Sequence, residues 1–286
     1  MTTTALTTPA TPAVPVPGQR RADVSLTFAR VLRSEWIKAV TLRSTWIMLA
    51  SIVVLTAGFG VVAALTASGA TDGSGPGFGG EGRDPLSIVF TGTHPALLLV
   101  GVAGALVGAR EYASGLIRST LAAVPARLPV LAAKILVFSA LTGVVVLAST
   151  LVVFFAGMAV LGDAGATTVG WSDDGVARAV LGTAAYLTGL GITGVALGVL
   201  LRSIGGSIAA LIGGVVFLPT LATMVLPESW DGVLKFLPSN AANSFTTFTP
   251  DASGAFLDAT TGAVVFTTWV LAAVIGAAVS LRTRDA

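Results

Sequence analysis

The chain has 286 residues with a mean hydropathy of +0.89, 54% hydrophobic residues and only 10% charged ones. Soluble domains carry about a quarter charged residues, so a water-facing globule is excluded, and the abundance of Val, Leu and Ile excludes disorder as the main state. The net charge of +2 spreads its 16 basic residues too thinly for a nucleic-acid patch, the lack of cysteine removes disulfides and thiol chemistry, and the lone His94 argues against histidine-rich metal ligation or a Ser-His-Asp triad.

Residues 1–24 are rich in Thr and Pro and lack the basic start and apolar core of a signal peptide, so they are expected to form a disordered cytoplasmic tail. The remainder, 25–286, reads as one all-α membrane domain. A bilayer core about 30 Å thick needs roughly 20 apolar helical residues. Six stretches meet that length, at 46–67, 86–109, 130–161, 176–201, 204–226 and 263–281. The third is too long for one core crossing and is expected to extend past it. No ten-residue alternation of apolar and polar positions indicates a β-barrel strand.

Ahead of the first span, residues 25–44 place Phe28, Val31, Leu32, Trp36, Ala39 and Val40 on one helical stripe and Arg30, Arg33, Ser34 and Lys38 on another. Such a basic amphipathic helix with an interfacial Trp is expected along the membrane surface. It is either a simple anchor or a docking element, and the two roles are compatible. Between spans two and three, residues 110–123 are expected to form a short helix carrying Glu111, Tyr112, Ser114 and Arg118, ended by Pro125, with Pro129 opening the next span. This segment suits either a docking role or a solvated connector. Spans four and five, separated by little more than Arg202 and Ser203, are expected to form a tight hairpin. The outer loop at 69–83 reads as flexible and acidic. The loop at 227–262 has a helix-start signal at Pro238, Ser239 and Asn240, and is expected to hold short helices dipping into the outer leaflet. Gly104/Gly108 and Gly194/Gly198 are G-x-x-x-G pairs that permit close helix approach, and Gly205, Gly206, Gly213 and Gly214 crowd span five.

Topology follows from the basic residues. With the N-terminus inside, only Arg83, Arg178 and Lys235 fall outside, and the other 13 face the cytoplasm. The acids run the other way: Asp23, Glu35, Glu111 and Asp285 lie inside and the remaining ten outside. Both termini are therefore expected in the cytoplasm, with the chain in the cell membrane.

The span centres are free of Asp, Glu, Lys and Arg, which disfavours an ion-coupled carrier. Lys134 and Arg178 sit near span ends, from which they can snorkel to the interface. His94 reads as a hydrogen-bonded structural residue and not as a proton relay. None of the three lysines, Lys38, Lys134 and Lys235, completes the Gly-Lys-Ser/Thr of a phosphate-binding loop. Any uphill work would draw its energy from another subunit.

The run Ser34-Glu35-Trp36-Ile37-Lys38, followed by Leu42-Arg43-Ser44-Thr45-Trp46, resembles the start of actinobacterial ABC-2-type transporter permeases. Glu111-Tyr112, Gly115, Ile117-Arg118, Thr120-Leu121, Pro125 and Ala132-Ala133-Lys134 are similar to that family's segment between spans two and three. Leu237-Pro238-Ser239-Asn240 resembles its phrase before the last span. The chain departs from the pattern at Ala113, where a basic residue is often found, and at Arg127, single where a basic pair is common.

The resemblance implies six helices per subunit and an interfacial helix bearing Arg30, Arg33, Glu35, Trp36, Lys38 and Arg43. It also implies a coupling helix at Glu111, Tyr112, Ser114 and Arg118 that touches the ATPase, and re-entrant helices before span six. The expected assembly has two ATPase subunits, which hold ATP and magnesium, and a second permease subunit, identical or homologous. This chain would carry no ATPase motif, cofactor or metal of its own, and no nucleic acid would be bound. The activity implied is export of a hydrophobic or amphipathic substrate. The alternatives are a non-transporting scaffold or sensor that recruits a cytoplasmic partner and, less favoured, an ion-coupled carrier.

Overall fold

The computed structural model describes residues 27–69, 84–116, 127–248 and 257–283. The tail at 1–24, most of the loop at 69–83 and Arg118 lie outside the described residues. Every regular element among the described residues is helical, and six helices are long and apolar enough to cross a membrane. The chain is a multi-pass helical membrane protein.

A leading helix, α1 (Phe28–Thr41), ends at an extended Leu42. The six long helices are α2 (Arg43–Ala67), α3 (Pro85–Ala113), α4 (Arg127–Asp163), α5 (Val176–Leu201), α6 (Ile204–Ala222) and, after two short helices, α9 (Ala259–Thr283). The short helices are α7 (Asp231–Leu234) and α8 (Pro238–Thr246). The long helices overrun the predicted apolar spans at most ends, because backbone hydrogen bonding continues past the point where side chains turn polar. α4 runs unbroken through 37 residues, so the third span does extend beyond one core crossing.

α5 is the axis of the bundle, flanked by α3, α4, α8 and α9. Its small residues allow this. Gly194 and Gly198 of α5 lie backbone-to-backbone against Gly101, Ala105 and Ala109 of α3, while Gly104 and Gly108 of α3 abut Gly191 and Val195 of α5. The two G-x-x-x-G pairs therefore face each other. A Cβ at Gly198 would stand 2.7 Å from the Ala105 carbonyl oxygen, closer than any real contact.

Two irregular turns adjoin nearby. α2 widens into a π-helical stretch at Val54–Gly58, and α3 tightens into a 3-10 turn at Phe90–Gly92. The carbonyls of Leu55 and Thr56 press on Gly92, where no side chain would fit. α6 carries a second π-helical stretch, Ala210–Phe217. Its helical path continues to Val225, leaving Leu218, Leu221, Met224 and Val225 exposed.

The turn between α5 and α6 is as short as expected. Arg202 adopts a left-handed conformation (φ 54°), and the Ser203 hydroxyl caps α6 by accepting from the Gly206 N–H at 3.2 Å. The predicted helix start at Pro238 also holds, with Pro238 in the first turn of α8. α8 buries Ala241, Ala242 and Phe245 against α5 and α9.

Near the start of α5, Arg178 is held by hydrogen bonds. It is part-buried and donates to the Ser244 carbonyl at 3.0 Å and the Thr247 carbonyl at 3.3 Å, tying α8 to α5. Bonds from a charged donor contribute about 1.5–3 kcal/mol each. Arg178→Ala is expected to loosen α8 selectively, seen as faster hydrogen exchange across 238–247 with α3 and α5 unchanged.

Candidate functional site

At the end of the bundle where α1 lies, four charged side chains from three helices meet. Glu35 and Lys38 stand one turn apart on α1, Glu111 is near the end of α3, and Lys134 lies two turns into α4. The Lys134 ammonium donates to Glu35 Oε2 at 3.0 Å and to Glu111 Oε1 at 3.1 Å. The Lys38 ammonium donates to Glu35 Oε1 at 2.6 Å and to the same Glu111 Oε1 at 3.0 Å. Two carboxylates and two ammonium groups balance, which is the condition for burying them at all.

Burial is deep. The Glu35, Lys134 and Glu111 side chains are 6%, 8% and 12% exposed, while Lys38 is 44% exposed and closes the cluster from outside. Lys134 is packed in place: Val130, Leu131 and Ala133 beside it are buried, two of them against Val31 of α1. Its ammonium is engaged by the two carboxylates, a partnership that its place near a span end did not announce. Burial opposes the Lys38 ammonium, but the hydrogen bonds and charges of Glu35 and Glu111 outweigh it, so its pKa lies above the ordinary lysine value.

The surrounding contacts extend the joint to the remaining spans. Arg110 Nη1 donates to Ser44 Oγ at 3.4 Å, at the head of α2. The Arg202 guanidinium sits 5.2 Å from the centre of the Tyr112 ring, bringing in the α5–α6 turn. Arg127 Nη1 donates to the Leu281 carbonyl at 2.8 Å, near the end of α9.

The other predicted residues are distributed as follows. Tyr112 belongs to the joint through Arg202. Ser114 is exposed and turns its hydroxyl back to the Arg110 carbonyl at 3.0 Å. Arg30, Arg33, Trp36 and Arg43 are exposed. On α1 the buried residues are Val31 and Glu35; of the predicted apolar stripe, Val31 is buried, Leu32, Ala39 and Val40 are partly buried, and Phe28 and Trp36 are exposed. The predicted helix at 110–123 needs correction at its start. Residues 110–113 continue α3, which stops where Gly115 takes a positive φ of 71°. The rest of that helix, with Arg118, lies outside the described residues.

Sequence reasoning missed Lys134 as a site residue. A signal was present: of the four acids assigned to this side, the two outside the chain termini, Glu35 and Glu111, are the ones that need a buried cation.

Beside the joint lies a cavity of about 400 Å³ between α1, α2, α3 and α4. A more polar cavity of about 460 Å³ at the opposite end is lined by His94, Asn240 and Asn243 among others. His94 there is exposed, with Nδ1 3.3 Å from the Thr91 carbonyl oxygen. The joint is built of opposed charges that are paired with one another. What it can do is hold α1, α3 and α4 in one mutual position and pass a displacement of any one to the others. Compared with known proteins, the chain matches no family model, no curated protein and no solved structure.

Proposed function

We propose that this chain is the membrane-spanning permease subunit of an ATP-binding cassette exporter. A separate subunit hydrolyses ATP, with magnesium, and the spans carry a hydrophobic or amphipathic substrate outward. The observation that carries this reading is the Glu35–Lys38–Glu111–Lys134 joint, which couples α1 to α3 and α4 beside the segment joining those two helices. A partner pressing on that segment moves Glu111, and the buried ion pairs deliver the movement to α1 and α4 together.

In this reading the joint faces the cytoplasm, both termini lie inside, and the chain resides in the plasma membrane. Two ATPase subunits and a second permease subunit complete the assembly. The uncharged span centres suit an apolar or amphipathic cargo.

Purification in mild detergent is expected to bring down a nucleotide-binding subunit in equal number with the permease. Replacing Glu111 and Arg118 together with alanine is expected to lower ATP-driven efflux per folded molecule at least tenfold, beyond the loss of folded protein that opening the buried ion-pair cluster brings. Recovery of the chain with no ATPase, or unchanged efflux in the double variant, would remove the reading.

A further inference from the structure

We propose that the cavity beside the joint is a binding site for an anionic amphiphile, which seats one acyl chain in the cavity and a phosphate or carboxylate headgroup at its mouth. Its volume of about 400 Å³ falls in the usual range of ligand sites, roughly 300–1,000 Å³. Its two ends differ in chemistry. The mouth is exposed and polar, with Lys38, Ser44 and Arg110; the floor is buried and apolar, with Leu49, Ile52 and Phe138. From Ser44 to Ile52 along α2 the depth is about 12 Å at 1.5 Å per residue.

Charge selects the headgroup. Glu35 and Glu111 are engaged by Lys38 and Lys134, which leaves Arg110 as the surplus cation at the mouth. Its contact among the described residues is the Ser44 hydroxyl at 3.4 Å, so most of its N–H groups remain available. A guanidinium with free donors pairs with phosphate or carboxylate through two parallel hydrogen bonds. A cationic headgroup would meet a net positive rim, and a neutral oil would leave Arg110 unused. Water alone does not fill an apolar floor. Basic pockets between spans are known physical traps for anionic headgroups. The chemistry fits two sources, an anionic phospholipid of the surrounding bilayer and a free single-chain amphiphile.

The test uses the purified full-length chain and needs neither ATP nor a partner, so its outcome is separate from that of the transport reading. Native mass spectrometry would follow retention of phosphatidylglycerol, phosphatidylcholine and decanoate. Wild type is expected to keep one phosphatidylglycerol under conditions that strip phosphatidylcholine. Arg110→Gln, an exposed position, should reduce that retention about tenfold, and Leu106→Trp, which fills the apolar wall, should do the same while Arg110 remains. Binding of decanoate without phosphatidylglycerol, lost in the same two variants, would keep the anionic class and assign the source to a free amphiphile. Equal retention of phosphatidylcholine, or retention unchanged in both variants, would overturn the proposal.

Discussion

Replacing Lys134 with methionine is expected to cost about 3–5 kcal/mol of folding stability, the usual penalty for orphaning a buried ion-paired partner. Glu35 and Glu111 would then share only Lys38, which is 44% exposed and already engaged with both. The two carboxylates would be left facing each other without the central ammonium. Adding Glu111→Gln to Lys134→Met restores charge balance, so more than half of the loss should return. The double-mutant cycle would be strongly non-additive. Lys38→Met, by contrast, removes a partner that water can replace, and its cost should fall near the surface-pair value of about 1 kcal/mol or less. Thermal unfolding midpoints of five purified proteins in one detergent, the wild type, Lys134→Met, Glu111→Gln, their double variant and Lys38→Met, would measure all of this. Additive losses in the double variant would show that the cluster is not a unit.

The second large effect is expected at the α3–α5 crossing. Gly104→Val and Gly194→Val each place a branched side chain where the facing backbone already touches, so the helices must separate. Overpacking of this kind costs about 1–3 kcal/mol even where side chains can yield. Here the obstacle is main chain, and the upper end applies. The measured outcome should be a sharp fall in folded yield and in the unfolding midpoint. Gly205→Ala is the contrast: a Cβ there meets open space, and removing a helix-interior glycine should be neutral or gain up to about 1 kcal/mol. If Gly104→Val and Gly205→Ala behave alike, the close crossing is not what the glycines serve.

That contrast also marks the limit of what could be read from the chain. Six spans, the short turn at Arg202 and Ser203, and the helix start at Pro238 were legible, because hydrocarbon thickness, loop length and proline geometry act locally. The two G-x-x-x-G pairs were legible as places of close approach, but that they face each other, and that Gly205 meets open space, follows only from the packing of the helices. The partner of Glu35 was not legible for a related reason. Its buried position is created by Lys134, a residue 99 positions away. Lys134 in turn was placed only near a span end, and its engagement with two carboxylates follows from the packing of α4 on α1. Three of the four site residues, Glu35, Lys38 and Glu111, were visible as charge placed near span ends. The cation that unites them depends on a tertiary contact.

The unbroken length of α4 has a mechanical consequence. From Lys134 to Asp163 no charged residue interrupts the helix, a run of about 42 Å at 1.5 Å per residue. A hydrocarbon layer about 30 Å thick cannot accommodate that upright, so the rod must lean or the layer must swell around it. One end is clamped by the ion pairs to α1. Toward the other end, Phe154 and Phe155 hold the Trp171 ring at centroid separations of 5.7 and 6.0 Å. A helix pinned in this way translates bilayer thickness into inclination, and inclination into torque on the clamp. Shortening the lipid tails therefore loads the same joint that a pull from the adjoining loop would load, with lipid acting as the lever arm's second hand.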